Sequence, residues 1–224
     1  MRLMLFSILS CASVFAERSV QIDADVLFWQ SSRDGLNYAI KSKSTSFLED
    51  ASIKSPDQDW NWGFRVGIGY QLPRDQWDLL LTYTRMNASS TGHESTKDGA
   101  IFPSWGGGFV PSGESWYVQS ASADWNACLN MVDIELGRDT HAGKHLTLRP
   151  LMGVRTLFLN QHYHLKYKGG NQLASGEEDR IHLQSDFWGV GLRLGVDSVW
   201  NIAKGWGIYG NGSISLLSGH FDVK

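Results

Sequence analysis

From Trp60 to Leu72 the chain alternates strictly: Trp60, Trp62, Phe64, Val66, Ile68, Tyr70 and Leu72 fall on one side, and Asn61, Gly63, Arg65, Gly67, Gly69 and Gln71 on the other. A period of two marks an extended strand with one apolar face and one small or polar face. The same period recurs and predicts seven strands, at about 19–30, 60–72, 77–86, 121–138, 146–161, 187–200 and 206–217. On the sixth, Trp188, Val190, Leu192, Leu194 and Val196 alternate with Gly189, Gly191, Arg193, Gly195 and Asp197. On the fifth, Leu146, Leu148, Met152, Val154 and Phe158 alternate with Thr147, Arg149 and Arg155, and Pro150 calls for a local bulge or an unpaired edge. The fourth changes parity, from Ala121, Ala123, Trp125, Leu129 and Met131 to Val132, Ile134 and Leu136, which predicts a bulge near Met131.

Alternation alone also suits a soluble sandwich. The connections argue otherwise: long through Pro56, tight at 73–76, long through Gly106, short through Ala142-Gly143, long through Gly176 and short at 201–205. Short turns on one side and long loops on the other are the layout of an all-β antiparallel transmembrane β-barrel. Most of the strands reach the ~9–11 residues that a tilted crossing needs. Trp60, Trp62, Trp77, Trp188, Trp200 and Trp206 stand near strand ends and are read as lipid-facing girdle residues. Single-chain bacterial barrels close with an even number of strands. Seven visible strands therefore predict an incomplete barrel, the N-terminal part of a longer one; an eighth strand within 101–117 is opposed by Pro103, Gly106-Gly107-Gly108 and Pro111.

Residues 1–16 read as a cleavable leader, Arg2 followed by an apolar stretch and Val14-Phe15-Ala16, which leaves 17–224 as the mature barrel in the cell outer membrane. The apolar stretch is shorter than the ~20 residues of a spanning helix. Losing Cys11 leaves Cys128 alone, so no intrachain disulfide is expected. The composition, rich in Gly (24), Trp (10) and Phe (10), favours aromatic-edged strands, and a formal charge of -3 without a basic run speaks against a nucleic-acid partner.

By parity, the inward pore-lining candidates are Asp23, Asp25, Arg65, Asp78, Asp124, Arg149, Arg155, Arg193 and Asp197. Their mixed signs suit a solvated lumen passing small hydrophilic solutes, or salt bridges that brace the wall. Two other functions stay open: an outer-membrane hydrolase, for which Asp124, His162 and His182 are the residues to test, and a structural or adhesive barrel with a filled interior. Gly205-Trp206-Gly207-Ile208-Tyr209-Gly210 matches a dinucleotide fingerprint in letters but opens a strand, and His162 with His164 has no nearby Cys or carboxylate cluster, so neither a cofactor nor a metal is expected. The expected partners are outer-membrane lipid and solutes, with a homo-oligomer allowed. On the predicted faces, Leu192→Arg should be far more damaging than Arg193→Leu.

The segments Ala24-Asp25-Val26-Leu27-Phe28-Trp29 with Asp34-Gly35-Leu36, Trp62-Gly63-Phe64-Arg65-Val66-Gly67, and Asp186-Phe187-Trp188-Gly189-Val190-Gly191-Leu192-Arg193 resemble the Legionella major outer membrane protein family and the similar porins of environmental chlamydiae. Asp133-Ile134-Glu135-Leu136-Gly137-Arg138 and Leu148-Arg149-Pro150-Leu151-Met152-Gly153 fit the same pattern. The resemblance implies a pore-forming outer-membrane barrel. The chain departs from such barrels in two ways: Cys128 stands alone, so a cysteine-crosslinked envelope like that of pathogenic chlamydiae is not expected, and the chain is shorter than they are.

Overall fold

A computed structural model describes residues 3–4, 14–16, 20–31, 34–43, 50–73, 76–106, 116–171, 173, 177–203 and 206–224. Seven long strands carry the fold: β1 Val20–Ser31, β2 Trp60–Gln71, β3 Trp77–Ser95, β4 Ser120–Arg138, β5 Leu146–Lys168, β6 Glu178–Ala203 and β7 Trp206–Val223. Each pairs antiparallel with the next in chain order. Among the described residues no ladder joins β7 to β1, so the sheet is not closed. It nevertheless curls, because Tyr209 on β7 lies within electrostatic reach of Arg65 on β2. Most of the predicted leader lies outside the described residues; its pieces Leu3–Met4 and Val14–Ala16 pair with the free edge of β1. Gly205, the first glycine of the fingerprint-like run, also lies outside them, and the rest of that run is in β7.

Several strands run well past the predicted ends: β3 and β4 have 19 residues, β5 has 23 and β6 has 26. The bulge expected near Met131 is absent, since β4 keeps one register against β3 from Ser120 to Arg138 and against β5 from Ser120 to Gly137. Pro150 shifts no register either: it stays opposite Val196 of β6, while the β4–β5 ladder stops at Gly137↔Leu151 and resumes in step at Thr140↔Leu148. A residue with no N–H thus sits where one side of the strand has no ladder.

The parity change along β4 has a different cause. Near the short turns, one face of the sheet exposes apolar side chains, among them Ile68, Tyr70, Leu81, Ile134, Val154, Leu192 and Leu194. Nearer the long loops, the apolar side chains move to the other face and bury there, as Trp29, Met86, Ala88, Ala121, Ala123, Trp125, Tyr163, Leu165 and Tyr167. β3, β4 and β5 pass from one regime to the other without changing register.

The buried cluster is closed by a cap. A three-stranded antiparallel sheet, in the order Ser52–Lys54, Ala39–Ser42, Ala100–Pro103, rises from the first two long loops and brings Leu36, Tyr38, Ala39 and Ile101 into the core. Of the 101–117 segment, Ile101–Pro103 joins this cap, and 107–115 lies outside the described residues.

Candidate pore-lining belt and capped loop end

On the face opposite the exposed apolar band, charged side chains pair from strand to strand. Alternation puts them there: Asp133 and Glu135 interleave with Val132, Ile134 and Leu136, and Arg149 and Arg155 with Leu148, Met152 and Val154. Arg65 of β2 meets Asp25 of β1 at 2.7 Å. Arg149 of β5 bridges Asp78 of β3 and, at 2.9 Å, Asp197 of β6. Arg155 makes two parallel bonds to its cross-strand neighbour Asp133, at 2.7 and 2.8 Å. Arg193 of β6 lies 2.7 Å from Glu135 and 3.6 Å from Asp133. Its Nε to Glu135 contact is an ion pair by distance whose N–H is not aligned as a hydrogen bond.

Glycines make these reaches possible. Arg149 crosses β4 at Gly137, where a Cβ would stand 2.4 Å from the Arg149 Cζ. Arg193 reaches Glu135 across Gly153, which lies between them in the ladder.

Of the predicted inward residues, Asp25, Arg65, Asp78, Arg149, Arg155, Arg193 and Asp197 meet in this belt, and Asp23 lies on the same face of β1 and accepts bonds from Gln21. Asp124 does not join them. It is exposed on the opposite face of the loop-end half, because the face that seemed lipid-facing there, with Ala123 and Trp125, is the buried one. Asp133 and Glu135 were missed, and their strict alternation with Val132, Ile134 and Leu136 was the signal that could have found them.

Trp60, Trp62, Trp188, Trp200 and Trp206 are exposed, between 44% and 77%. Trp77 is half-buried, with the Arg138 guanidinium 5.8 Å from its ring. Trp60, Trp62 and Trp188 stand toward the loop end; Trp77, Trp200 and Trp206 stand at the turn end.

Polar bonds lock the cap to the sheet. The Tyr163 hydroxyl donates to the Leu36 carbonyl at 2.6 Å, Tyr167 to the Tyr38 carbonyl at 2.7 Å, and the Trp105 indole to the Asn37 carbonyl at 2.8 Å. Lys41 and Lys54 of the cap both reach Glu94 of β3 at 2.8 Å, and their hydrogen bonds hold its carboxyl below the usual range. The Tyr38 ring lies against Gly92, where a Cβ would come within 2.7 Å of it. Burial, with Glu94 and Asp57 adding to it, pushes the Tyr38 hydroxyl up to about 12; burial raises Tyr163 and Tyr167 further, in Tyr167 against nearby backbone hydrogen bonds that lower it.

The hydrolase candidates do not converge on this belt. Asp124, His162 and His182 are exposed on the opposite face, on β4, β5 and β6. Among the described residues no group of three or more His, Cys, Asp or Glu side chains is placed to hold a metal ion.

A family model described as the Legionella pneumophila major outer membrane protein precursor matches residues 15–224. The chain belongs to this family. Membership in the Legionella major outer membrane protein family makes it an outer-membrane protein, in agreement with an antiparallel sheet whose turn-end half exposes an apolar face. No curated protein and no solved structure matches the chain.

Proposed function

We propose that this chain forms part of the wall of a non-enzymatic outer-membrane pore that passes small hydrophilic solutes. The observation that carries the reading is the belt: charged side chains from β1 to β6 line the face opposite the apolar band. A wall with lipid on one side and water on the other requires this division. In this reading the apolar band and its tryptophans meet lipid, the short turns face the periplasm and the cap faces outside. Six acids (Asp23, Asp25, Asp78, Asp133, Glu135, Asp197) stand against four arginines (Arg65, Arg149, Arg155, Arg193), so the passage carries a small negative excess and favours cations weakly.

The capped core favours a second reading, a structural or adhesive barrel with a filled outer end. Conductance in planar bilayers separates the two. Steady channels with a modest cation preference in a salt gradient support the pore; a protein that inserts and stays silent supports the filled barrel. Hydrolytic activity toward ester or peptide substrates in the purified protein, lost in Asp124→Asn or His182→Gln, would overturn both.

A further inference from the structure

The loop-end halves of β5 and β6 carry three histidines on the face away from the core, and the belt uses none of them. His164 and His182 are directly opposite each other in the β5–β6 ladder. Both are exposed, their rings meet edge to face with centroids 4.6 Å apart, and their Nδ1 atoms converge to 2.5 Å. Two such nitrogens cannot face each other with lone pairs alone; a proton or a cation has to lie between them.

We propose that His164 and His182 are a two-imidazole site for a late first-row divalent metal ion, Zn²⁺, Ni²⁺ or Cu²⁺, that clips β5 to β6 beyond the apolar band. Metal–imidazole bonds of about 2.0–2.1 Å at ordinary angles set two ligand nitrogens about 3 Å apart, so the pair needs to open by roughly half an ångström. Exposed imidazoles can turn that far about their side-chain torsions. The donor set selects the metal class, since imidazole nitrogen suits Zn²⁺, Ni²⁺ and Cu²⁺ while Ca²⁺ and Mg²⁺ want oxygen. No third protein ligand among the described residues completes the shell, so water fills it. His162 stacks parallel to His164 at 6.4 Å, and Asp124 is opposite His164 on the β4 side, which places a third imidazole and a carboxylate beside the pair. The neighbouring cations Lys166, Lys168 and Arg180 turn to Glu178, which lessens their repulsion of a metal ion.

The test uses the full chain refolded into phosphatidylcholine vesicles, with Zn²⁺ and then Cu²⁺ as probes in equilibrium dialysis. One equivalent should bind at micromolar concentration. His164→Gln and His182→Gln should each weaken binding by about tenfold or more, whereas His220→Gln on β7 should leave it unchanged. Bound Cu²⁺ should show nitrogen hyperfine coupling in its electron paramagnetic resonance spectrum, and saturating Zn²⁺ should raise the urea midpoint of the wild type but not of the two variants. Should either variant fail to refold, protection of His164 and His182 from diethylpyrocarbonate by Zn²⁺ in the wild type decides instead. The proposal is overturned if the wild type binds neither ion in the micromolar range, if the variants bind as it does, or if Zn²⁺ protects neither histidine; the close contact is then a shared proton only.

Discussion

Replacing Arg193 by Leu tests whether the belt behaves as an interior or as a surface. The substitution removes the cation 2.7 Å from Glu135 and 3.6 Å from Asp133, and the three side chains are only 10%, 6% and 7% exposed. Breaking a buried pair strands a charge and costs about 3–5 kcal/mol, whereas a solvated pair is worth about 0–1 kcal/mol. Arg155 still holds Asp133 in the variant, so Glu135 is the stranded group and the low end, ~3 kcal/mol, is expected. Leu192→Arg, one residue away on the exposed apolar face, should cost ~2–4 kcal/mol near mid-bilayer. The two substitutions are therefore expected to be comparably damaging, whereas alternation alone ranks the second far above the first. Urea titration of refolding into lipid vesicles, followed by tryptophan fluorescence, measures both. Adding Glu135→Leu to Arg193→Leu should recover part of the loss, because it removes the stranded carboxylate. A loss below about 1 kcal/mol for Arg193→Leu, or no recovery in the double variant, would refute the reasoning and mean that water screens these ion pairs.

Gly137→Val should destabilise by about 1–3 kcal/mol in the same assay, because its Cβ would stand 2.4 Å from the Arg149 Cζ, and the loss should shrink when Arg149 is replaced by Ala. Tyr38, Tyr163 and Tyr167 bear on alkaline stability: their hydroxyl pKa values are raised on folding, so the contribution of keeping them neutral is complete below pH ~10 and is lost as pH rises past about 12. Tyrosinate absorbance should therefore rise late, with the cap opening; ionisation of every tyrosine near pH ~10 would contradict a buried cap. Cys128 lines a shallow pocket with Asn87, Asn126, Asn160 and His162, on the face away from the core, and should react with a charged maleimide in intact vesicles; protection equal to that of a lipid-facing Leu192→Cys would place it in hydrocarbon. Ser213→Trp, whose partner in the ladder is Gly195, should lower single-channel conductance, and an unchanged value would exclude the β6–β7 face from the passage.

Alternation in β2 and β6 was enough to place seven strands and to sort Arg65, Arg193 and Asp197 from their apolar neighbours, because along the turn-end half a period of two has a single meaning. It misled at Asp124 and near Met131. There the reading assumed that an apolar face always looks outward, as it does where the solvent is lipid. Past that zone the sheet has water outside and a core inside, as a soluble sandwich does, so Ala121, Ala123 and Trp125 turn inward with no change of register. The cap was not legible at all. Ala39–Ser42, Ser52–Lys54 and Ala100–Pro103 are too short to give a periodic signal, and what holds them is distant: Tyr163 and Tyr167 bond carbonyls more than a hundred residues earlier in the chain.

The reversal of faces marks a boundary that β3 shares with β4, and β5 with β6. The last apolar residue on the outward face is Tyr83 on β3 and Val132 on β4, and these two are paired; on β5 and β6 it is Phe158 and Trp188, which are also paired. Beyond them the outward residues turn polar together, to Arg85, Asn130, Asn160 and Asp186. Inside, the charged belt gives way over the same stretch to the capped core, so a solute path cannot continue straight along β3, β4 and β5. The corresponding face of β6 and β7 carries Gly191, Gly195, Asn211, Ser213 and Ser215 toward the turn end, and Phe187, Leu217 and Phe221 toward the loop end. In the proposed pore, the solute path would follow the turn-end part of β6 and β7, past Gly195, Ser213 and Ser215, with the belt arginines on one flank.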